Sequence, residues 1–258
     1  MRYALFSDVH AYPPALERAL EDMEGQNVDF RICLGDVVGY GPDPAGAIAL
    51  CRERCDIVVA GNHDAAVARQ ISTAFFIPRA QEAVARHQDQ ISDECLEWLA
   101  HLPMNIVRDG FAAAHGEFHR GWRRRVEAGF GYVLSDWDAE RTLDALPSNT
   151  TLAFVGHTHA ACIWRRDGDP SPRLQRPTDF TLEPGVRYVV NVGSIGYPRY
   201  HFETNYVIYD SAASTVAFRH LPFDFVDYCA CMERIGVEPP LWLCDHMRAE
   251  HEKSCPSR

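Results

Sequence analysis

The chain has 258 residues, of which 47% are hydrophobic and 24% charged, a globular composition with enough apolar residues for one or two domains. The net charge of −11 argues against general nucleic-acid binding, which needs a basic face, and no apolar run approaches the roughly 18 to 20 residues of a membrane span. Nine cysteines without a CxxC pair, and an N-terminus too polar for a signal peptide, predict reduced thiols and a cytoplasmic protein.

The first sixty residues alternate between short apolar runs and stretches of helical periodicity. Three apolar runs predict buried strands: Tyr3 to Phe6, Phe30 to Leu34 and Asp56 to Ala60. Two stretches between them predict helices: Ala15 to Met23 and Ala45 to Arg54. This alternation is typical of right-handed βαβ units, so we expect the fold to begin with a parallel sheet.

The middle of the chain predicts a helical stretch followed by a hairpin. The helical pattern runs from about Pro78 to Leu102, and Ser92 within it has the character of an N-cap. Two strands follow, Ile106 to Val107 and Phe111 to Ala114, and the turn at Asp109-Gly110 joins them.

A basic, aromatic loop follows, from Glu117 to Tyr132. Its four arginines surround Trp122: they are Arg120, Arg123, Arg124 and Arg125. Such a run could hold a second phosphate and stack a base on the indole. A solvated helix face explains the same residues, and we favour that interpretation.

The second half of the chain shows a different pattern, one helix followed by a series of short apolar runs. A helix is predicted over Asp136 to Leu146, ended by Pro147. Five short apolar runs follow: Leu152 to Val155, Ala161 to Trp164, Tyr188 to Val192, Tyr206 to Tyr209 and Val216 to Arg219. Such runs usually pair as an antiparallel sheet, and we interpret Asp167 to Pro184 as a loop. We expect two packed sheets with helices outside, the parallel part first and the antiparallel part second.

This division predicts the domain organisation. Residues 1–224 form the main domain, and residues 225–258 form a helical tail packed on it, with its last residues loose.

Polar clusters follow the apolar runs at their C-terminal ends. They are Asp8-Val9-His10, Gly35-Asp36, Gly61-Asn62-His63-Asp64, His115-Gly116 and Gly156-His157-Thr158-His159. Ligands of open α/β sheets bind beyond the carboxyl ends of the strands, so these clusters should meet. Taken singly, each cluster is explained as well by a turn or a core histidine. Together, in this order, they predict a site.

The residue types predict a metal site. Carboxylate oxygen and imidazole nitrogen suit manganese, iron, zinc or nickel better than magnesium or calcium alone. Asp8 and His10 are one residue apart, as are His157 and His159, so each pair can point the same way. Asp36 carries a short carboxylate that could bridge two cations roughly 3.5 to 4 Å apart.

The motif series DVH, GDVVGYG, GNHD, HG and GHTH resembles the calcineurin-like metallophosphoesterases, and most closely their small prokaryotic phosphodiesterase branch. The resemblance covers roughly residues 1 to 220. It implies a four-layer αββα sandwich of two mixed β-sheets flanked by helices.

The resemblance also implies a ligand set. The first metal would take Asp8, His10, Asp36 and His159. The second would take Asp36, Asn62, His115 and His157. His63 matches the family's general acid, and Asp64 matches the residue that orients it. We expect two divalent ions, manganese or iron in the first place, with zinc or nickel as alternatives.

The segment from Asn191 to Arg199 resembles a substrate-facing loop of the same branch, although Val192 and Tyr197 depart from its usual pattern. We expect three substrate contacts: Arg199, Tyr40 and Ser194. Arg199 could clamp a phosphate through its planar fork, or it could be an ordinary surface arginine.

These assignments predict hydrolysis of a phosphodiester or nucleotide phosphoanhydride, with dinucleoside polyphosphates as one candidate class. A metal-bridging hydroxide would attack in line, and His63 would protonate the leaving oxygen. One alternative is a phosphomonoesterase, including a serine/threonine protein phosphatase. Another is a non-catalytic scaffold like the retromer subunit of this fold, which the full ligand set disfavours. The expected partner is a small phosphorylated molecule, with no membrane or general nucleic-acid binding and the oligomeric state left open.

Overall fold

The computed structural model describes residues 1–118, 130–168, 171–199 and 203–240. The chain divides into two compact units, Met1–Pro222 and Phe223–Arg258. The predicted basic run around Trp122 and the last residues of the predicted tail lie outside the described residues. Among the described helices, none is long and apolar enough to cross a membrane.

The described residues of the first unit form strands and helices that alternate as far as α3, and consecutive strands dominate after α6. The strands are β1 (Arg2–Phe6), β2 (Phe30–Cys33), β3 (Ile57–Val58), β4 (Asn105–Arg108), β5 (Phe111–Ala114), β6 (Leu152–Val155), β7 (Cys162–Arg166), β8 (Arg173–Gln175), β9 (Phe180–Thr181), β10 (Arg187–Asn191), β11 (Glu203–Asp210) and β12 (Thr215–Pro222). The helices are α1 (Pro13–Glu24), α2 (Pro44–Arg54), α3 (Asn62–Val67), α4 (Pro78–Gln90), α5 (Asp93–Ala100) and α6 (Asp136–Ala145). The second unit contains α7 (Phe225–Arg234).

The strands of the first unit form two mixed, six-stranded sheets. The first has the order β3-β2-β1-β11-β12-β9, in which β3, β2 and β1 run parallel and β11 runs antiparallel to β1. The second has the order β4-β5-β6-β10-β7-β8, in which β5, β6 and β10 run parallel. The expected pair of mixed sheets flanked by helices is therefore confirmed.

One apolar core fills the space between the sheets. On β5, Phe111 and Ala113 belong to this core, whereas Ala112 and Ala114 pack with Leu143 of α6 on the opposite face. Both faces of the strand are buried, which is why its sequence is a continuous apolar run instead of an alternating one.

Capping residues determine where two of the helices begin. Asp43 accepts a hydrogen bond from Gly46 N at the start of α2, over 2.8 Å. Ser92 accepts one from Cys95 N at the start of α5, which confirms its predicted capping role. The helical stretch predicted from about Pro78 to Leu102 forms two helices, α4 and α5, which residues 91 and 92 separate at the predicted N-cap.

Two predictions about the second half of the chain are wrong. β6 and β10 pair in parallel, with Leu152 opposite Tyr188, and β11 and β12 join the first sheet instead of completing the second. Apolar alternation records which face of a strand is buried and says little about its neighbour or direction. In addition, β8 and β9 lie within the predicted loop from Asp167 to Pro184, where β8 is fully exposed and has no apolar pattern.

Candidate metal centre

Backbone hydrogen bonds tie together the segments that follow the parallel strands. Asp8 N donates to Gly35 O over 3.0 Å, and His10 N donates to Asp36 O over 2.9 Å. Gly156 N donates to His115 O over 2.8 Å. Each bond joins the segment after one strand to the segment after its neighbour, so the polar clusters are held against each other.

The backbone is strained at five of the seven predicted metal ligands. Their φ angles are positive: Asp8 (58°), His10 (47°), Asp36 (52°), His157 (67°) and His159 (61°). This left-handed conformation costs a residue with a Cβ atom roughly 1 to 2 kcal/mol. Strain of this kind persists where the surrounding structure fixes it, and it concentrates at functional sites.

Two glycines make room for the ligands that lie beside them. A Cβ atom on Gly61 would overlap the Asp36 carboxylate, and one on Gly156 would overlap the Ser7 hydroxyl and crowd the Asp8 carboxylate. Both positions therefore need glycine for close approach of the backbone.

Buried carboxylates and imidazoles gather here in three overlapping groups. Within each group the candidate ligand atoms lie within 4.8 Å of one another. The groups are Asp8, His10 and His159; His10, Asp36 and His63; and Asp36, His115 and His157. The first and third groups together contain six of the seven ligands that the sequence resemblance implies.

In the first group, the histidine nitrogens that carry no proton are hydrogen-bond acceptors, and they lie close to other acceptors. His10 Nδ1 donates to Val38 O over 3.1 Å, and His159 Nδ1 donates to Tyr197 O over 2.5 Å. A carbonyl only accepts hydrogen bonds, so in the neutral rings the proton is on Nδ1 and Nε2 presents a lone pair. Burial lowers the pKa of His159, which favours its neutral form.

Those lone pairs point at one another and at a carboxylate. His10 Nε2 lies 3.1 Å from His159 Nε2, which lies 3.2 Å from Asp8 Oδ1. Three acceptors at these distances repel unless positive charge is placed among them. Histidine ligands typically donate their second ring N–H to a backbone carbonyl, as both rings do here.

The third group lies on the other side of Asp36. His115 Nδ1 donates to Leu34 O over 2.8 Å, and His115 Nε2 lies 3.2 Å from Asp36 Oδ2 and 3.1 Å from His157 Nδ1. Burial alone would lower the pKa of His115, but the Asp36 carboxylate raises it to about 9. Positive charge is therefore favoured at this position.

Two buried oxygens at the site lack a partner. Asp8 Oδ1 and Asn62 Oδ1 accept no hydrogen bond within the described ranges. A buried acceptor without a partner is costly, and a cation is a ligand that satisfies it. These residues fit a pair of divalent cations for three reasons. Their ligand atoms are imidazole nitrogens and carboxylate oxygens, their tautomers leave lone pairs directed into the site, and two of their buried oxygens have no hydrogen-bond donor.

His63 and Asp64 begin helix α3. His63 N donates to Asp36 Oδ1 over 2.9 Å, and burial lowers the pKa of the His63 ring to about 3. The Asp64 carboxylate accepts from Gly61 N over 2.9 Å and from Val38 N over 3.1 Å. Asp64 therefore joins the start of helix α3 to the segment that follows β2.

The three expected substrate contacts occupy different places. Arg199 donates to the Tyr40 hydroxyl over 3.3 Å, and both side chains line a cavity of about 260 Å³ together with Asn62, His63 and His157. The fully buried Ser194 donates to Asp8 O and accepts from Tyr197 N, each over 3.1 Å. That environment favours support of the loop by Ser194 over contact with a ligand.

Sequence reasoning missed three residues that support the centre. Tyr132 stacks on His157 with ring centroids 3.8 Å apart, and Asn191 donates to Gly156 O over 2.7 Å. His87 contacts the backbone on both sides of Tyr40. None of the three belongs to a polar cluster after a strand, although Tyr132 lies at the end of the loop noted for its aromatic content.

The chain is similar to known proteins over most of its length. A family model of the calcineurin-like phosphoesterase superfamily domain matches residues 1–214. The structure of a metallophosphoesterase from Sphaerobacter thermophilus is 31% identical, with a TM-score of 0.77 and coverage of 95% of this chain and 97% of that chain. An uncharacterised protein of Methanocaldococcus jannaschii is 27% identical over 222 residues, which are 86% of this chain and 87% of that protein. A hypothetical protein from Pyrococcus horikoshii OT3 shares the fold, with a TM-score of 0.71 over 94% of this chain and 96% of that chain at 16% identity.

Proposed function

The chain belongs to the calcineurin-like phosphoesterase superfamily and is a metal-dependent hydrolase, and on this basis we propose that it cleaves a phosphodiester or a nucleotide phosphoanhydride. The observation that supports this most strongly is the set of buried acceptors that face one another around Asp36. We expect manganese or iron as the ions, with zinc or nickel as alternatives, because the donors are imidazoles and carboxylates.

We propose that seven side chains hold the two cations. The first takes Asp8, His10, Asp36 and His159, and the second takes Asp36, Asn62, His115 and His157. When bound, the ions supply the positive charge that activates water and neutralises phosphoryl oxygens. Asp36 is the proposed shared ligand, because its Oδ2 atom lies 3.7 Å from His10 Nε2 and 3.2 Å from His115 Nε2.

His63 is the proposed proton donor to the leaving oxygen. Burial disfavours its cationic form in the free protein, so this role requires the negative charge of a bound phosphate to raise the His63 pKa. Its backbone N–H is fixed by Asp36, and its ring lines the cavity next to both ligand groups. Asp64 is the proposed positioning residue, because it fixes the backbone at Gly61 and Val38. Such general acid catalysis contributes typically 10² to 10⁴-fold.

The charge around the cavity favours a diester over a monoester. Arg199 is the one lysine or arginine side chain among the cavity-lining residues of the described ranges. A monoester dianion or a nucleotide phosphoanhydride would require more compensating charge than a diester monoanion, in a chain with a net charge of −11, so within the proposed class the charge favours the diester. The cysteine content of the sequence supports a cytoplasmic location.

The test compares two chromogenic substrates with the same leaving group. Purified protein with added manganese should hydrolyse bis(4-nitrophenyl) phosphate with a kcat/KM at least about 10-fold above that for 4-nitrophenyl phosphate. A dinucleoside polyphosphate in the same panel tests the anhydride. Preference for the monoester would support the phosphatase alternative, and absence of turnover with manganese, iron, zinc and nickel would support the scaffold.

A further inference from the structure

The cavity beside the candidate metal centre has an unusual share of aromatic lining. Beyond the polar residues already described, Phe75, Phe76, Ile77, Phe130 and Tyr132 face it. They come from two separate segments of the chain, one between α3 and α4 and one before α6. The apolar wall is therefore a product of the fold and not of one local run.

Part of this wall is exposed. Phe75 is 90% exposed, Ile77 59% and Tyr132 47%. Large apolar side chains clustered at the mouth of a cavity commonly mark a binding surface, whereas single scattered ones do not. All three line the cavity, so a ligand that extended to its mouth would contact them.

Two aromatic side chains of this wall contact histidines of the candidate metal centre. The Phe76 ring lies 5.1 Å from the His63 ring, and the Tyr132 ring stacks on His157 at an interplanar angle of 11°. A group bound between these side chains would therefore lie next to the proposed proton donor. A substituent of a phosphate bound at the metal centre would occupy this position.

We infer that this cavity is a subsite for a planar aromatic ring carried by the phosphate substrate, as in an aryl ester or a nucleotide; this inference rests on the proposed function. A cavity of about 150 Å³ accepts benzene, so one of about 260 Å³ accommodates a single ring or two fused rings. Aromatic side chains bind flat rings by stacking as well as by apolar burial, and this gives a preference over a saturated ring of the same size.

The test measures binding of three phosphonates to the manganese-loaded, full-length protein by titration calorimetry. Phenylphosphonate should bind about 10-fold more tightly than methylphosphonate and more tightly than cyclohexylphosphonate, which has a similar size but no π-face. Phe75→Ala should reduce the preference for phenyl over methyl severalfold, and Phe75→Tyr should preserve it. Leu174→Ala, which removes an exposed apolar side chain on β8, is the matched control and should not change the preference.

Three results would overturn the inference. Equal affinity for the phenyl and methyl compounds, or an unchanged preference in Phe75→Ala, would show that no ring is bound there. Equal affinity for the cyclohexyl and phenyl compounds would show that the cavity binds by apolar burial alone, with no preference for a planar ring. A dimer that Phe75→Ala dissociates in sedimentation would assign the exposed rim to a second copy of the chain. If none of the phosphonates bound, the anion site of the proposed function would fail as well, so the two failures are distinguishable.

Discussion

His10 Nε2 and His159 Nε2 lie 3.1 Å apart with a lone pair on each, because both neutral rings donate from Nδ1 to a backbone carbonyl. Two acceptors do not form a hydrogen bond, so their proximity is explained by a cation that both can bind. The residue spacings that bring them together, DVH and GHTH, are visible in the sequence. The tautomers, which determine what lies between the rings, are fixed only by the fold.

Asp36→Ala should lose both metals and most turnover, because the Asp36 carboxylate lies close to one histidine of each proposed ligand set, His10 and His115. Metal content by atomic emission and kcat/KM with the diester test this. The control is Asp43→Ala, which removes the exposed N-cap of α2 at a cost of about 1 kcal/mol in the free energy of unfolding and should keep its metals. An Asp36→Ala protein that retained two ions would contradict the shared role.

His63→Ala should keep its metals and lose about 10² to 10⁴-fold in kcat, because a proton donor is removed while the proposed ligands remain. The loss should be larger for an alkyl diester than for a nitrophenyl diester, whose leaving group needs less protonation. Steady-state kinetics of wild type and variant with both diesters measures the two losses. Unchanged turnover of the alkyl diester would rule out the acid role.

Gly61→Ala should lower metal affinity, because the added Cβ atom would overlap the Asp36 carboxylate and displace it. Gly25→Ala is the matched control, since its Cβ atom would make only an ordinary contact, 3.4 Å from Asp22 O. Manganese titration of both variants gives the comparison. Equal affinities would show that the Asp36 position tolerates movement and is not a fixed ligand site.

His87 should make the fold sensitive to acid. It accepts from Gly39 N and lies 3.0 Å from Gly41 O, an arrangement that requires a neutral ring, and burial lowers its pKa to about 3. The unfolded chain binds this proton below about pH 6.5, so the contribution of His87 to stability is fully present above that pH and is lost as pH falls toward 3.

The measurement compares His87→Gln with wild type in denaturant unfolding, with a chelator in both samples. Between pH 7 and pH 4.5 the wild type should lose up to about 2 to 3 kcal/mol more of its free energy of unfolding than the variant. Parallel losses in the two proteins would show that His87 does not titrate on unfolding.

Much of the fold could be predicted from sequence, because strands buried on both faces appear in the sequence as continuous apolar runs. The parallel pairing of β6 with β10 could not, because neighbours in a sheet are chosen by packing over long separations. The short strands β8, with three exposed residues, and β9, with two residues, carried no apolar pattern that could predict them.

The candidate site was predictable to the extent that its residues follow strands. All seven expected ligands lie where the parallel strands end, and the resemblance supplied their division into two sets. Tyr132 and His87 were missed because their contacts join distant segments, and a tyrosine or histidine in a helix or loop has many uses. Ser194 was expected at the substrate, but its hydroxyl is occupied by the backbone of two loops.

Anomalous diffraction from a crystal grown with excess manganese tests the central claim most directly. The account predicts two peaks, one among Asp8, His10 and His159 and one among Asp36, His115 and His157, with Asp36 next to both. Difference maps that show no ion among these side chains, or a single ion bound elsewhere in the chain, would contradict it.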